Sequence, residues 1–429
     1  MTCLDLSLEK LDAEALQDAG LVAVYAGMHT ATRIAVQALP RIKELAPSAH
    51  LCVYGLYAPM NEALLRSLGV GTVLGGEFEP ALLSLCRRLR ANGAALPQSE
   101  PVISLQRVPF VVPERSVLPK LSRYAHLVLP DGSTRVAGFA EGSRGCKHLC
   151  RHCPVPPVYQ GKFRVVPLDV VMQDIGQQVS EGATHISFGD PDFFNGPTHG
   201  LRLARGLHAA FPGVTFDATI KIQHLIDQAE LLAELARCGC LFVTSAVEAV
   251  DDDILRLLAK NHAGRDFDRA VALTRAAGIA LAPTFVAFTP WTTLEGYIAL
   301  LERLVELQVV ESVPPVQLAI RLLVPEGSYL LQLPGFREKL EAFDARLLGY
   351  PWRHPDARVD ALQRDVQTFL EQGKEAPRRE VFAAIWRMAH EAAGRPVPEL
   401  PGNLGAPIAH LSEPWYCCAE PTEQQLQSF

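Results

Sequence analysis

The sequence predicts an α/β protein: an N-terminal doubly wound domain, then a barrel-like run of β/α units, then a helical C-terminal extension. Three observations predict it. Short apolar runs alternate with helical stretches along most of the chain, the pattern of repeated β/α units. The runs are apolar at successive positions, so both strand faces are buried, as in a parallel sheet covered on two sides. A length of 429 residues exceeds what one core fills and calls for about two or three domains.

Composition narrows the class. There are 40 Lys+Arg and 47 Asp+Glu, a formal charge of −7, with 48% hydrophobic and 20% charged residues. That is too apolar for a disordered chain, and the mild acidity argues against a nucleic-acid surface as the main business. The first residues, Met1-Thr2-Cys3-Leu4-Asp5, lack the basic and apolar regions of a secretory signal. The longest apolar stretches, as around Ile279 to Phe288, reach about half a membrane span. A cytoplasmic protein without membrane or nucleic-acid partners is expected.

The elements follow in order. Residues 1–95 hold three strand-then-helix units: Leu21 to Gly27 with a helix from Thr30 to Leu45, Leu51 to Gly55 with Met60 to Leu68, and Thr72 to Gly76 with Pro80 to Arg90. Residues 96–135 form a Pro-rich linker with extended segments, closing on a hairpin of Ala125 to Leu129 and Thr134 to Phe139 about a Pro130-Asp131-Gly132-Ser133 turn. Residues 136–335 alternate again. Strands are predicted at Thr184 to Phe188, Thr215 to Thr219, Leu241 to Val247, Ala280 to Phe288 and Val316 to Leu323. The intervening helices are Leu168 to Glu181, His199 to Ala210, Ile226 to Arg237, Asp252 to Ala259, Phe267 to Ala277 and Leu294 to Leu307. Such a repeat implies a parallel barrel-like sheet with its ligand loops at the carboxyl ends of the strands. Residues 336–429 are predicted helical at Glu338 to Leu348 and Arg379 to Ala393, ahead of a Pro-rich tail.

Ten cysteines without a signal peptide do not read as a disulfide framework. Cys146, Cys150 and Cys153 form a C-x3-C-x2-C set on one loop after a predicted strand. Soft thiolates suit zinc or an iron–sulfur cluster. A [4Fe–4S] site takes one cysteine per iron, so three leave one iron open for a small molecule. The alternatives are zinc with His148 or His152 as fourth ligand, and three structural cysteines. Zinc sites usually draw ligands in paired knuckles, and this loop has no partner knuckle.

The loop resembles the radical S-adenosylmethionine (SAM) family, and the resemblance covers about residues 135 to 330. It implies a partial (β/α)6 barrel, a [4Fe–4S] cluster on Cys146, Cys150 and Cys153, SAM on the open iron, and an enzyme. It also implies a small-molecule substrate and a one-electron donor such as flavodoxin or ferredoxin. His152 stands where the family has an aromatic residue. Phe188-Gly189-Asp190-Pro191-Asp192 resembles the Gly-Gly-Glu-Pro strand end, which makes Gly189 and Asp190 expected contacts of the SAM amino group. Ala246-Val247-Glu248-Ala249-Val250 resembles the segment near the SAM ribose and places Glu248 there. Thr284 to Pro290 resembles the fifth strand and its loop, without the usual Gly-Leu-Pro-Gly. Lys221 and Arg321 are expected to reach the SAM carboxylate or to be ordinary strand-end charges.

The preceding β/α units resemble the cobalamin-binding (Rossmann-like) domain of the cobalamin-dependent branch of that family, with Gly75-Gly76-Glu77-Phe78-Glu79 as its glycine-acid turn. The Asp-x-His-x-x-Gly signature is absent, since His29 has no Asp two positions before it, so the domain either binds cobalamin or serves as scaffold. Trp415-Tyr416-Cys417-Cys418-Ala419-Glu420-Pro421 resembles the tail that names the CUAEP/CCAEP-tail radical SAM proteins. There Cys417 and Cys418 are the expected catalytic pair, suited to a thiophilic species. The leading expectation is a SAM-cleaving transferase acting on a small molecule, with arsenite and C–As bond formation as its sharpest form. The alternatives are a cobalamin-dependent radical methyltransferase and a metalloid-sensing metal-binding protein.

Overall fold

In the computed structural model, residues 1–92, 100–372 and 376–412 are described. The short α1 (Ala13–Gln17) precedes a four-stranded parallel sheet in the order β1 (Leu21–Tyr25), β2 (His50–Tyr54), β3 (Thr72–Gly76), β4 (Ile103–Ser104). Its helices are α2 (His29–Leu45), α3 (Glu62–Ser67) and α4 (Glu79–Asn92). The period-2 alternation of β2 sorts its side chains. Leu51 and Val53 pack with Leu39, Ile42 and Leu65 of α2 and α3, while Cys52 and Tyr54 pack with Leu85 and Leu82 of α4. Both faces are thus covered, the reason the strand reads as continuously apolar.

A hairpin of β5 (His126–Val128) and β6 (Thr134–Ala140) leads into a second sheet, and β6 serves both. It pairs antiparallel with β5 and parallel with β9 (His185–Phe188), which continues to β10 (Thr215–Thr219), β11 (Cys240–Glu248) and β12 (Ala280–Phe285). Between β6 and β9 lie the small ribbon β7 (Ser143–Gly145) and β8 (Phe163–Val165), with α5 (Val155–Tyr159) between them and α6 (Leu168–Ser180) after. The curled sheet is backed by α6, α7 (Pro197–Ala210), α8 (Ile222–Asp227), α9 (Ala229–Arg237), α10 (Asp252–Leu257), α11 (Gly264–Ala277) and α12 (Leu294–Glu306). Ile186, Phe216, Val243 and Phe285 anchor its core against Leu207, Leu235, Phe267 and Leu301 of those helices. This is the predicted α/β half-barrel. Among the described residues no helix is long and apolar enough to cross a membrane.

Three expectations are corrected. The predicted strand Val316 to Leu323 is a 3-10 turn, Pro315–Leu318, followed by a single parallel bridge of Phe288 to Arg321. Pro315, with its φ already near the helical value, instead occupies the first position of that 3-10 turn and carries Val316 to Leu318 into it. The predicted helix Glu338 to Leu348 is instead a 3-10 turn, Arg337–Lys339, and a loop with bridges Leu340 to Trp352 and Asp344 to Gly349. A helix absent from the sequence reading, α13 (Ala357–Gln372), packs on α14 (Arg378–Ala392). Its signal was present as Val359, Leu362 and Val366 on one buried face. The last strand, β13 (His410–Leu411), pairs with β5.

Candidate functional site

Gly145 ends β7 at φ +74°, and a Cβ there would lie 2.5 Å from the Lys162 carbonyl oxygen. Only glycine permits that turn, and it launches the loop from Cys146 to Cys153. The loop is tied down on several sides. Asn195 Oδ1 accepts from Lys147 N at 3.2 Å, and Asn195 Nδ2 donates to the Gly145 carbonyl at 3.3 Å. Arg151 N donates to Leu258 O at 2.9 Å, and Ser328 Oγ donates to Arg151 O at 3.1 Å. No disulfide involves Cys146, Cys150 or Cys153 among the described residues. Burial, and to a lesser degree the neighbouring thiols, pushes Cys146 up to about 12 and raises Cys150 as well. Such thiols become thiolates only where a bound cation compensates them, which is the electrostatics of a metal-holding set.

Carboxyl ends of the barrel strands bring polar groups to this loop. Asp192, after β9, has Oδ2 2.6 Å from His224 Nδ1 of α8 and 3.6 Å from His148 Nε2 of the cysteine loop. These three residues supply ligand atoms that all lie within 4.8 Å of one another. Burial alone would raise the Asp192 carboxyl, but the two histidines outweigh it and hold it at about 2. Lys221, after β10, is buried, and burial lowers its ammonium below the usual range while the Cys150 thiol opposes that shift. His148 Nε2, Asp192 Oδ2, His224 Nδ1 and Lys221 Nζ are all buried without a well-directed hydrogen bond. Three of these atoms face only one another and the Lys221 ammonium has no hydrogen-bond acceptor among the described residues, so the cluster keeps capacity for a ligand carrying both signs of charge. The ammonium of Lys221 beside the pair disfavours a bare divalent cation, whereas a zwitterionic amino acid satisfies Asp192 and Lys221 together.

A second buried group borders it. Glu248 sits at φ +69° where the β11–β12 register shifts, and this bulge turns its carboxylate to His152 Nε2 at 3.0 Å and Lys260 Nζ at 3.2 Å. Burial opposes its charge, but Lys260 and then His152 bring its carboxyl down to about 2.

The other predicted contacts are placed elsewhere. Asp190 Oδ2 accepts from Gly142 N at 2.8 Å and Oδ1 from Ser143 Oγ at 2.5 Å, so it braces the strand ahead of the cysteines. A Cβ on Gly189 would meet the Phe139 ring at 2.0 Å, so any side chain there has to displace that partly exposed ring. Arg321 bonds Asp360 Oδ1 at 2.8 Å and the Trp352 carbonyl, and stacks 3.5 Å above the Trp352 ring, so its charge is already matched. Cys417 and Cys418 lie outside the described residues. Sequence reasoning missed Asp192, His224 and Lys260, although the second acid of Gly189-Asp190-Pro191-Asp192 was in plain view.

The first sheet forms the opposite wall. Cys146 and Cys153 share an apolar cluster with Val155, Val158 and Tyr159 and with Leu56, Ile103 and Leu105 from the strand-end region of the N-terminal sheet. Arg144 of β7 reaches Glu79 and lies 3.6 Å from Glu77 and 3.5 Å from Glu141. Glu77 is fully buried, and neither of its oxygens accepts a hydrogen bond.

Residues 141–292 match the model of the Radical SAM superfamily. Over 122 residues the chain is 30% identical to bacteriochlorophyllide d C-12(1)-methyltransferase of Chlorobaculum tepidum, a match covering 28% of this chain and 26% of that one. The structure of the radical SAM methyltransferase TsrM from Kitasatospora setae, with cobalamin and a [4Fe-4S] cluster bound, superposes at TM-score 0.56 and 18% identity, covering 68% of this chain and 63% of that one. The cobalamin-dependent radical enzyme OxsB with aqua-cobalamin bound superposes at 0.65 and 14%, covering 89% and 64%. The chain thus spans about a quarter of that curated relative and under two thirds of either solved structure. The matched stretch runs from Glu141 to Thr292 and so includes the three cysteines, Asp192, Lys221, Glu248 and Lys260 but not Arg321. The cysteine loop and the half-barrel it opens onto are a radical SAM domain.

Proposed function

We propose that this chain is a cobalamin-dependent radical SAM methyltransferase acting on a small molecule. The observation that carries the reading is the meeting of two parallel-sheet edges at one cysteine loop. Loops after β9 and β10 bring Asp192 and Lys221 to it from one side, and Leu56 and Leu105 come from strand ends on the other. Ligands of open α/β sheets bind at the carboxyl ends of the strands, and here two such edges face each other. When bound, the cluster supplies one electron and the corrinoid a site for methyl transfer.

The residues fit these groups. Cys146, Cys150 and Cys153 would hold three irons. Asp192 would take the ammonium of SAM and Lys221 its carboxylate. Glu248 with its His152 and Lys260 partners would stiffen the floor beside them. At the N-terminal edge, Glu77 and Glu79 carry buried oxygens without donors, which suits the amide-rich periphery of a corrin. His29 is not suited to bind cobalt: its Nε2 lies 2.6 Å from the Leu347 carbonyl oxygen and the residue is buried.

This reading displaces the arsenite proposal. Two of the three relatives are named as methyltransferases, and nothing in the described residues supports C–As bond formation. Anaerobic reconstitution should load about four irons per chain. Release of S-adenosylhomocysteine should require added cobalamin; equal turnover without it overturns the reading. With cob(II)alamin bound, the EPR spectrum should lack nitrogen splitting from a protein imidazole. A splitting that His29→Gln removes would overturn the assignment of His29.

A further inference from the structure

We propose that the cleft bordered by Arg321, Arg353, His354 and the first two turns of α13 binds a phosphorylated small molecule. None of its lining residues belongs to the cysteine loop or to the cradle around Asp192 and Lys221, so the inference is independent of the proposed reaction.

Along α13, Asp360, Gln363 and Arg364 follow at spacings of three and four, so they share one face of the helix. That face, Arg321 at its bridge to Phe288, and the Arg353-His354 segment enclose an open cleft of about 610 Å³. Ligand sites in proteins span about 300–1,000 Å³. The floor of the cleft is held from within. Arg321 stacks on the Trp352 ring, while Asp360 accepts from Arg321 Nη1 at 2.8 Å through Oδ1 and from His354 N at 3.0 Å through Oδ2. Buried Gln363 donates from Nε2 to the Ala319 carbonyl at 3.2 Å. Both oxygens of Asp360 are thereby engaged. Arg321 has spent one N–H on Asp360 and one on the Trp352 carbonyl, out of the five a guanidinium carries. His354 Nδ1 accepts from Asp356 N at 3.0 Å, so the ring proton sits on Nε2 as a donor.

Three guanidiniums and an imidazole thus border the cleft against one carboxylate, within a protein of net charge −7. Glu341 pairs with Arg353 at 2.6 Å, but the Arg353 side chain is 83% exposed, where an ion pair contributes little and yields to a competing anion. Arg364 is exposed and has no carboxylate partner among the described residues. What the cleft has left to offer is donors and positive charge, and arginine forks match phosphate oxygens. A carboxylate presents two oxygens in one plane, whereas guanidiniums on three separate segments suit a tetrahedral set. The cleft is also larger than a lone phosphate fills, which calls for a phosphorylated molecule.

The test titrates the purified chain at low salt with ADP and, separately, with inorganic pyrophosphate, read by calorimetry. Both should bind with Kd below about 1 mM, and the Arg353→Glu/Arg364→Glu double variant should bind them at least about tenfold more weakly. Both side chains are exposed, so that variant should keep the wild-type Tm and, after cluster loading, the wild-type SAM affinity, which shows that it folds. Citrate, a polycarboxylate, should bind at least about tenfold more weakly than pyrophosphate. Absence of binding by either phosphate probe, equal affinities in wild type and double variant, or citrate as tight as pyrophosphate each overturns the proposal. Binding of pyrophosphate without ADP assigns the cleft to the free ion and overturns it too.

Discussion

Asp190 and Asp192 stand two residues apart and are both buried, yet their partners differ in kind. Asp190 receives a backbone N–H and a hydroxyl, while Asp192 turns Oδ2 to two imidazoles without a well-directed hydrogen bond. Asp192→Asn should therefore weaken SAM binding by about 30-fold or more, the effect of losing roughly 2 kcal/mol of a buried charge contact, with iron content unchanged. Asp190→Asn should leave SAM affinity intact and lower stability by about 1–3 kcal/mol, since it disturbs the brace on Gly142 and Ser143. Calorimetric SAM titration and denaturant unfolding of both variants check this; the reverse pattern would return the ammonium contact to Asp190. Lys260→Met leaves the Glu248 carboxylate with His152 alone, and breaking such a buried pair costs about 3–5 kcal/mol, measurable by urea unfolding.

At the scale of elements, the site depends on how strands end. The β7 strand hands over to the cysteine loop at a left-handed glycine, and β11 ends in a bulge that swings Glu248 inward. Gly145→Ala meets both the positive φ and a carbonyl 2.5 Å away, so the β7–β8 ribbon must open. Iron retention after gel filtration should fall severalfold in that variant, whereas Gly132→Ala, at a positive φ with nothing within 4 Å, should retain its iron. The β/α alternation was legible because each unit carries its own apolar period. The failures share a cause. Val316 to Leu323 reads as a strand by composition, but Pro315 ahead of it starts a 3-10 turn, and Glu338 to Leu348 lies in a Pro/Gly-bounded segment whose partners are distant in sequence.

At the scale of the molecule, the N-terminal sheet, the half-barrel and the C-terminal extension share buried contacts. His29 links the first sheet to Leu347, and burial lowers its imidazole to about 4. His262 Nε2 donates to the Val247 carbonyl at the β11 end, at 3.2 Å, and burial together with Lys260 lowers it to about 4 as well. Both folded values lie below the unfolded value of 6.5, so the unfolded chain binds protons first as pH falls. Stability is full above about 6.5, drops between there and about 4, and is lower by roughly 3 kcal/mol per histidine beneath that window. Thermal unfolding from pH 7.5 to 4 should show the decline, and His29→Gln should flatten its share of it. An unchanged slope would mean that the His29 imidazole is protonated in the folded protein.

The sequence by itself determined the thiol set, the β/α repeat and the glycines at the tight turns, because each is fixed by neighbours within a few residues. Only the tertiary structure decided which acid faces the cysteines, that Arg321 is held by Asp360 and Trp352, and that the first sheet walls in Cys146 and Cys153. Those outcomes depend on sheet curl and on side chains tens of residues apart. Sequence spacing carries no information about either until the core has packed.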